Sequence, residues 1–344
     1  MRTILGLTLA CALSTLGGAA DDSPPSDPKT AAASPAAEKP QGEELRYMRV
    51  VRNEADQPTA LQTAIVRFKP KDKTESDHYV DLIGAVHIGD KEYYEQLNKE
   101  FADYDALLYE LVAPKGTRIP KGARGGSGSP VSALQIMLKD ALALEFQLEQ
   151  IDYEAKNFVH ADMSPDEFAR SMKNLNESPI QMFLQLMKAS MVQARNRKSP
   201  PPSDFVILAA LLKGREGAPV LKQIFADELS EADVVLEALN GPKGSTLVTE
   251  RNKVALQVMK EQLEAGKKKL GIFYGAAHMN DIAERLAKEH GMEPVETRWV
   301  TAWDLTKSAP PAPRRRPVRP APQARPAPDA APAPADKPAP TTSA

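Results

Sequence analysis

The sequence predicts an α/β fold. It reads as a mixed central sheet flanked by helices, with a large helical insertion at about residues 130–266 between two strand–Gly-x-x-His–helix halves. Three observations carry this. Continuous apolar runs at 79–86, 106–112 and 270–274 have the length of strands buried on both faces, as in a parallel sheet. A strand, a turn and a helix occur twice, about 190 residues apart, with Gly84-Ala85-Val86-His87 in the first turn and Gly275-Ala276-Ala277-His278 in the second. Between these units the chain is almost wholly of helical period, with breaks at 153–163, 198–202, 214–219 and 240–244.

Residues 1–20 carry Arg2, an apolar stretch from 4 to 16 and the small residues Gly18-Ala19-Ala20, the pattern of a secretory signal peptide cleaved after Ala20. An exported protein, periplasmic or extracellular, is therefore expected. Cys11 is the only cysteine. Thr8-Leu9-Ala10 ahead of it makes a poor lipobox, so a lipid anchor is not expected, and the mature chain has no thiol or disulfide chemistry. Segments 21–43 and 308–344 are rich in Pro and Ala and read as a disordered linker and tail around a domain at 44–307. Arg314, Arg315, Arg316 and Arg319 make the tail basic, which suits either plain solvation or contact with an anionic surface. A net charge of −2 argues against a nucleic-acid partner. Beyond the signal segment no run approaches the roughly 20 apolar residues of a membrane span.

Within the domain, 45–53 and 59–68 alternate apolar and polar residues around a turn at 53–58, as half-buried antiparallel strands do. After strand 79–86, Asp90 stands where it can cap a helix that buries Tyr93, Tyr94, Leu97 and Phe101; Asn280 is the matching candidate after strand 270–274. Residues 115–129 are Gly-rich and basic, hence a loop. Ser164-Pro165-Asp166-Glu167 combines a serine N-cap, proline at the first helical position and glutamate three residues on. Met182, Met187 and Met191 at helical spacing suit core or cap packing. Residues 294–305 read as a final strand.

Several polar residues stand where a purely structural chain would not place them. Glu110 lies inside the apolar run Ala106-Leu107-Leu108-Tyr109-Glu110-Leu111-Val112, and a buried carboxylate needs a charged partner or a metal. A strand-end glutamate reaching solvent is the plainer alternative. Arg251 shares a helical stripe with Leu247, Val254, Ala255 and Val258, so its guanidinium faces the core and needs Glu110, another carboxylate or a substrate oxygen. Asn252 borders the same stripe. The two Gly-x-x-His turns belong at the carboxyl ends of strands, where open α/β sheets bind ligands. Each glycine allows a sharp turn and leaves room beside the backbone. His160, just before a capped helix, suits a structural role; a site role for His160 or Asp162, as further ligand or proton carrier, is the alternative. Tyr93 and Tyr274 read as core aromatics able to line the pocket. His78 and His290 read as surface residues.

The strand–Gly-x-x-His unit followed by Tyr93-Tyr94, the strand ending in Glu110, the string Glu250-Arg251-Asn252 and the closing Gly275-Ala276-Ala277-His278 together resemble the TraB/GumN family, over about residues 76–305. That family is related to the TIKI metalloproteases of animals and, more distantly, to erythromycin esterase and ChaN-like proteins. The resemblance implies His87, Glu110 and His278 as metal ligands or catalytic groups, with Arg251 close by and Mn or Co as the metal.

The chemistry supports the same direction. Two histidines and a carboxylate leave positions open on a divalent metal for water and a substrate carbonyl. The metal acidifies that water and polarises the carbonyl, and Arg251 can hold developing negative charge. Without a cysteine, zinc stands beside Mn and Co as an option. There is no H-E-x-x-H, G-x-S-x-G, P-loop or G-x-G-x-x-G string, so zincin, serine-hydrolase and nucleotide readings find no support. The expectation is an exported metal-dependent hydrolase acting on a peptide or ester bond of a peptide or small-molecule substrate. A non-catalytic periplasmic metal- or haem-binding protein, and an inactive scaffold, are the other classes.

Overall fold

The computed structural model describes residues 45–72, 77–120, 122, 141–196, 203–230 and 244–307. The signal segment with Cys11, the linker, the basic tail and most of the 115–129 loop lie outside the described residues.

The fold is a mixed α/β arrangement around a seven-stranded sheet. Its antiparallel part is built from β1 (Met48–Arg52), β2 (Pro58–Pro70), β3 (Tyr79–Ala85) and the last strand, β9 (Met292–Asp304). The long strand β2 pairs with β9 from Ala60 to Pro70 along one edge, while β1 and β3 share its other edge. Its parallel part runs β3, β8 (Lys269–Gly275), β5 (Ala106–Tyr109) and β7 (Phe158–His160). A two-residue strand β4 (Ile88–Gly89) pairs antiparallel with β6 (Glu145–Phe146) in a small separate sheet.

Helix α1 (Lys91–Phe101) buries Tyr93, Tyr94, Leu97 and Phe101, the four apolar positions that its period puts on one face. Burial of such side chains contributes roughly 1.5–3 kcal/mol each. The insertion then supplies α2 (Gln147–Gln150), α3 (Pro165–Asn174), α4 (Pro179–Asn196), α5 (Asp204–Leu212) and α6 (Ala218–Ser230). Ser164 and Glu167 close both halves of a capping box at the start of α3. A π-helical turn, Thr246–Glu250, leads into α7 (Arg251–Glu264), and α8 (Met279–Glu289) follows β8. Among the described residues no helix is long and apolar enough to cross a membrane.

Four details depart from the sequence reading. The insertion holds two strands that the helical reading did not foresee: β6, and β7 inside the 153–163 break, where it forms an edge of the main sheet. Asp90 stands at the N-cap of α1 but makes no capping bond. Its carboxylate instead accepts from Lys222 Nζ at 2.7 Å and from the Asp304 amide at 2.6 Å, tying α6 and β9 to this turn. Asn280 caps nothing, because α8 starts at Met279 with His278 in the N-cap position. Met191 is 60% exposed, outside any core.

Candidate functional site

The site forms because three neighbouring parallel strands, β3, β8 and β5, end at one edge of the sheet. Ala85 pairs with Gly275 and Tyr109 with Phe273, so His87, His278 and Glu110 all follow their strands at the same level. The next strand, β7, ends at His160, two residues before Asp162. Helix α7 brings Arg251 and Asn252 over this edge from its first turn, directly after the π-helical turn, a distortion common at functional sites.

The two Gly-x-x-His units part company after their histidines. His87 leads into β4 and is half-buried, whereas His278 closes a 3₁₀ turn that runs straight into α8 and is 6% exposed. Neither glycine has a left-handed backbone, so the sharp-turn explanation does not hold. Space does. A β-carbon on Gly84 would press at 3.3 Å on the Tyr47 carbonyl, so this glycine serves close packing. A β-carbon on Gly275 would meet Glu110 Oε2 at 3.4 Å, His278 Cδ2 at 3.8 Å and His87 Nε2 at 4.0 Å. The missing side chain therefore leaves a cradle on which the two imidazoles and the carboxylate converge.

Arg251 organises the carboxylates. Its Nε donates to Asp162 Oδ1 at 2.9 Å and its Nη2 to Asp162 Oδ2 at 2.6 Å, while Nη2 also reaches Glu110 Oε1 at 2.6 Å. Asp162 is fully buried, and Nη1 makes a longer bond of 3.4 Å to the Leu247 carbonyl. The Gly275 amide donates to Glu110 Oε2 at 2.7 Å. Burial opposes the charge of Glu110, but Arg251, the two histidines and the Gly275 N–H outweigh it and hold the carboxyl well below the usual range. Burial likewise opposes the charge of Arg251, and Glu110 with Asp162 raises its pKa nonetheless.

His278 is fixed from behind by Asn252. The Asn252 amide nitrogen donates to Asp281 Oδ2 at 2.8 Å and to the His278 carbonyl at 3.2 Å, which leaves Oδ1 facing His278 Nδ1 at 2.7 Å. Nδ1 therefore carries the proton, and Nε2 keeps its lone pair. Nε2 stands 3.5 Å from Glu110 Oε1. Burial is the largest influence on this ring and, with Arg251, depresses its pKa to about 4. The Tyr274 ring packs edge-on against it at 5.3 Å, with its hydroxyl donating to the Ala161 carbonyl.

A pH dependence follows. In the unfolded chain the imidazole of His278 binds a proton near its ordinary 6.5, whereas the folded one resists until about 4. Metal-free protein should then lose about 3 kcal/mol of stability as pH falls from 6.5 to 4, with further loss below as Glu110 is forced to protonate. Urea unfolding at pH 7 and pH 4.5 measures this, and His278→Ala should remove most of the slope above pH 4.5.

Not every candidate reaches the cradle. Tyr93 is buried in the core, where its hydroxyl meets Thr63 Oγ1 at 3.1 Å and the Gly84 carbonyl at 3.3 Å. The His160 Nε2 is held at 2.6 Å by the Leu111 carbonyl and its ring packs on Tyr109, so it braces the strand ends. Asp162 serves as the partner of Arg251. Asp281 and Gln147 escaped the sequence reading. Gln147 donates its backbone N–H to the His87 carbonyl at 2.9 Å, and its side chain reaches Tyr153 at 2.8 Å.

A divalent cation fits the donor set in part. His278 Nε2 and Glu110 Oε1 are both acceptors, facing each other with no hydrogen to share. Ligand atoms each about 2.1 Å from one ion stand about 3–3.5 Å apart, which matches their separation. Among the described residues no three His, Cys, Asp or Glu side chains already stand together as a ligand set. Glu110 is drawn toward Arg251 and Gly275, and His87 lies across the cradle. Compared with known proteins, the chain matches no family model, no curated protein and no solved structure.

Proposed function

We propose that this chain is an exported metal-dependent hydrolase of TraB/GumN type, cleaving a peptide or ester bond with a water activated at the His87–Glu110–His278 cradle. The observation that carries this reading is the cradle over Gly275, where two imidazoles and a carboxylate meet a space with no side chain of its own. When bound, a divalent cation supplies the charge that acidifies water and polarises a carbonyl near neutral pH. His278 presents a neutral Nε2 because Asn252 holds the proton on Nδ1. Glu110 stays ionised because Arg251 and the Gly275 N–H hold it, ready to ligate or to accept a proton from water. Arg251, satisfied by two carboxylates, acts mainly as the anchor of Glu110. That saturation also favours a second reading, a metal-binding protein without catalysis, since little of the guanidinium is free for transition-state charge.

Gly275→Ala is the most informative test. Its backbone is extended, at φ −51° and ψ 139°, and the added methyl would make only ordinary contacts, so the stability change should stay within about 1 kcal/mol. The methyl nevertheless fills the cradle. With fluorogenic peptides and esters and added Mn, Co or Zn, wild type should turn over and lose that turnover to a chelator. Gly275→Ala should be inactive while melting normally. Wild-type turnover that survives both chelation and Gly275→Ala would contradict the proposal.

A further inference from the structure

His278 has an amide acceptor behind it, and His87 has an equivalent group that is not yet engaged. The pairing of Ile88 with Phe146 and of Gly89 with Glu145 makes His87 and Gln147 the next opposed positions, and the Gln147 N–H to His87 carbonyl bond continues that ladder. Opposed residues put their side chains on one face, with β-carbons about 5 Å apart. His87 turns Nε2 toward the cradle, which leaves Nδ1 on the other side of the ring. Its ring has no hydrogen-bond partner among the described residues. Gln147 is 6% exposed; its Nε2 donates to Tyr153, and its Oε1 is a buried acceptor without a donor among the described residues. A buried carboxamide oxygen left unpaired is costly, and a neighbouring ring N–H is the group that would satisfy it. Burial raises the pKa of Tyr153 and the nearby Glu110 charge raises it further, so this amide stands beside the same site.

We infer that Gln147 is a positioning residue for His87: its Oε1 accepts the Nδ1–H and fixes the ring with a lone pair on Nε2 facing Glu110, an inference that rests on the metal-site reading. The two histidines then share one design, with Asn252 behind His278 and Gln147 behind His87. Such supports hold a ligand's tautomer and orientation. Only side-chain rotation is needed to close the bond, since the two side chains together reach further than the spacing between the opposed β-carbons.

The test uses the full-length protein labelled with ¹⁵N-histidine, as wild type, Gln147→Glu and Gln147→Met. Long-range proton–nitrogen spectra of the metal-free protein report which His87 nitrogen carries the proton. Wild type and Gln147→Glu should show Nδ1–H, and Gln147→Met should shift toward Nε2–H. Zn²⁺ affinity, by competition with a chromophoric chelator, should fall roughly 10–100-fold in Gln147→Met and recover in Gln147→Glu. An Nε2–H tautomer in wild type, or an unchanged tautomer and affinity in Gln147→Met, would overturn the inference. If wild type shows the Nδ1–H tautomer but takes up no Zn²⁺, the positioning contact stands and the metal-site reading fails. If Gln147→Met does not fold, the Gln147→Glu spectrum still decides, because loss of the Nδ1–H form there contradicts the inference.

Discussion

Arg251→Ala should unfold far more easily than wild type, by about 3–5 kcal/mol, because it strands two carboxylates at once. Asp162 is fully buried and has its guanidinium bonds at 2.9 and 2.6 Å, and Glu110 shares the same Nη2. For a domain of this size that corresponds to a melting temperature lower by roughly 10 °C. Arg251→Lys should recover only part of the loss, since an ammonium cannot reproduce the two-pronged contact with Asp162. Adding Asp162→Asn to Arg251→Ala should cost less than the two single changes together, because the charge left unpaired by the first is removed by the second. Thermal melting of the four variants checks this. Equal melting of Arg251→Ala and wild type would mean that the buried triad contributes nothing to the fold.

The histidine variants should separate stability from binding. His87 is half-buried, and among the described residues its ring has at most the Gln147 contact inferred above, so His87→Ala should change stability by about 1 kcal/mol or less. His278→Ala leaves Asn252 Oδ1 without its donor in a buried site, which costs about 1–3 kcal/mol. Both should nevertheless lose metal by more than the 10–100-fold typical of changes to a supporting residue, and lose turnover with it. Metal analysis after dialysis, alongside the peptide and ester assay, measures both effects. Full metal occupancy in both variants would make the Gly-x-x-His turns architecture only.

How far the chain could be read in advance depended on local contrast. Strands β3, β5 and β8 are continuous apolar runs, so their positions were plain, and a charged residue among them marked Glu110. Asp81 passed unnoticed within such a run, although it is fully buried and held by Arg67 at 2.8 and 2.9 Å and by Tyr104 at 2.8 Å. The stripe on α7 placed Arg251 inward, but spacing could not choose its partner. His160 and Asp162 lie two residues apart at the end of a three-residue strand, too short for a period to show which points inward. Strands β4 and β6 are shorter still, and with them went Gln147, whose place opposite His87 exists only through pairing. Asp281 was hidden by its neighbour, because Asn280 looked like a helix cap while α8 actually begins one residue earlier.

The central claim is that His87, Glu110 and His278 hold one divalent cation. Titration of chelator-treated protein with Co²⁺, followed by its visible absorption, tests it most directly. Wild type should develop the bands of a nitrogen- and oxygen-ligated ion and saturate at one equivalent, while His87→Ala, His278→Ala and Gly275→Ala should show none at that ratio. No saturable band in wild type, or an identical titration in the three variants, would contradict the account.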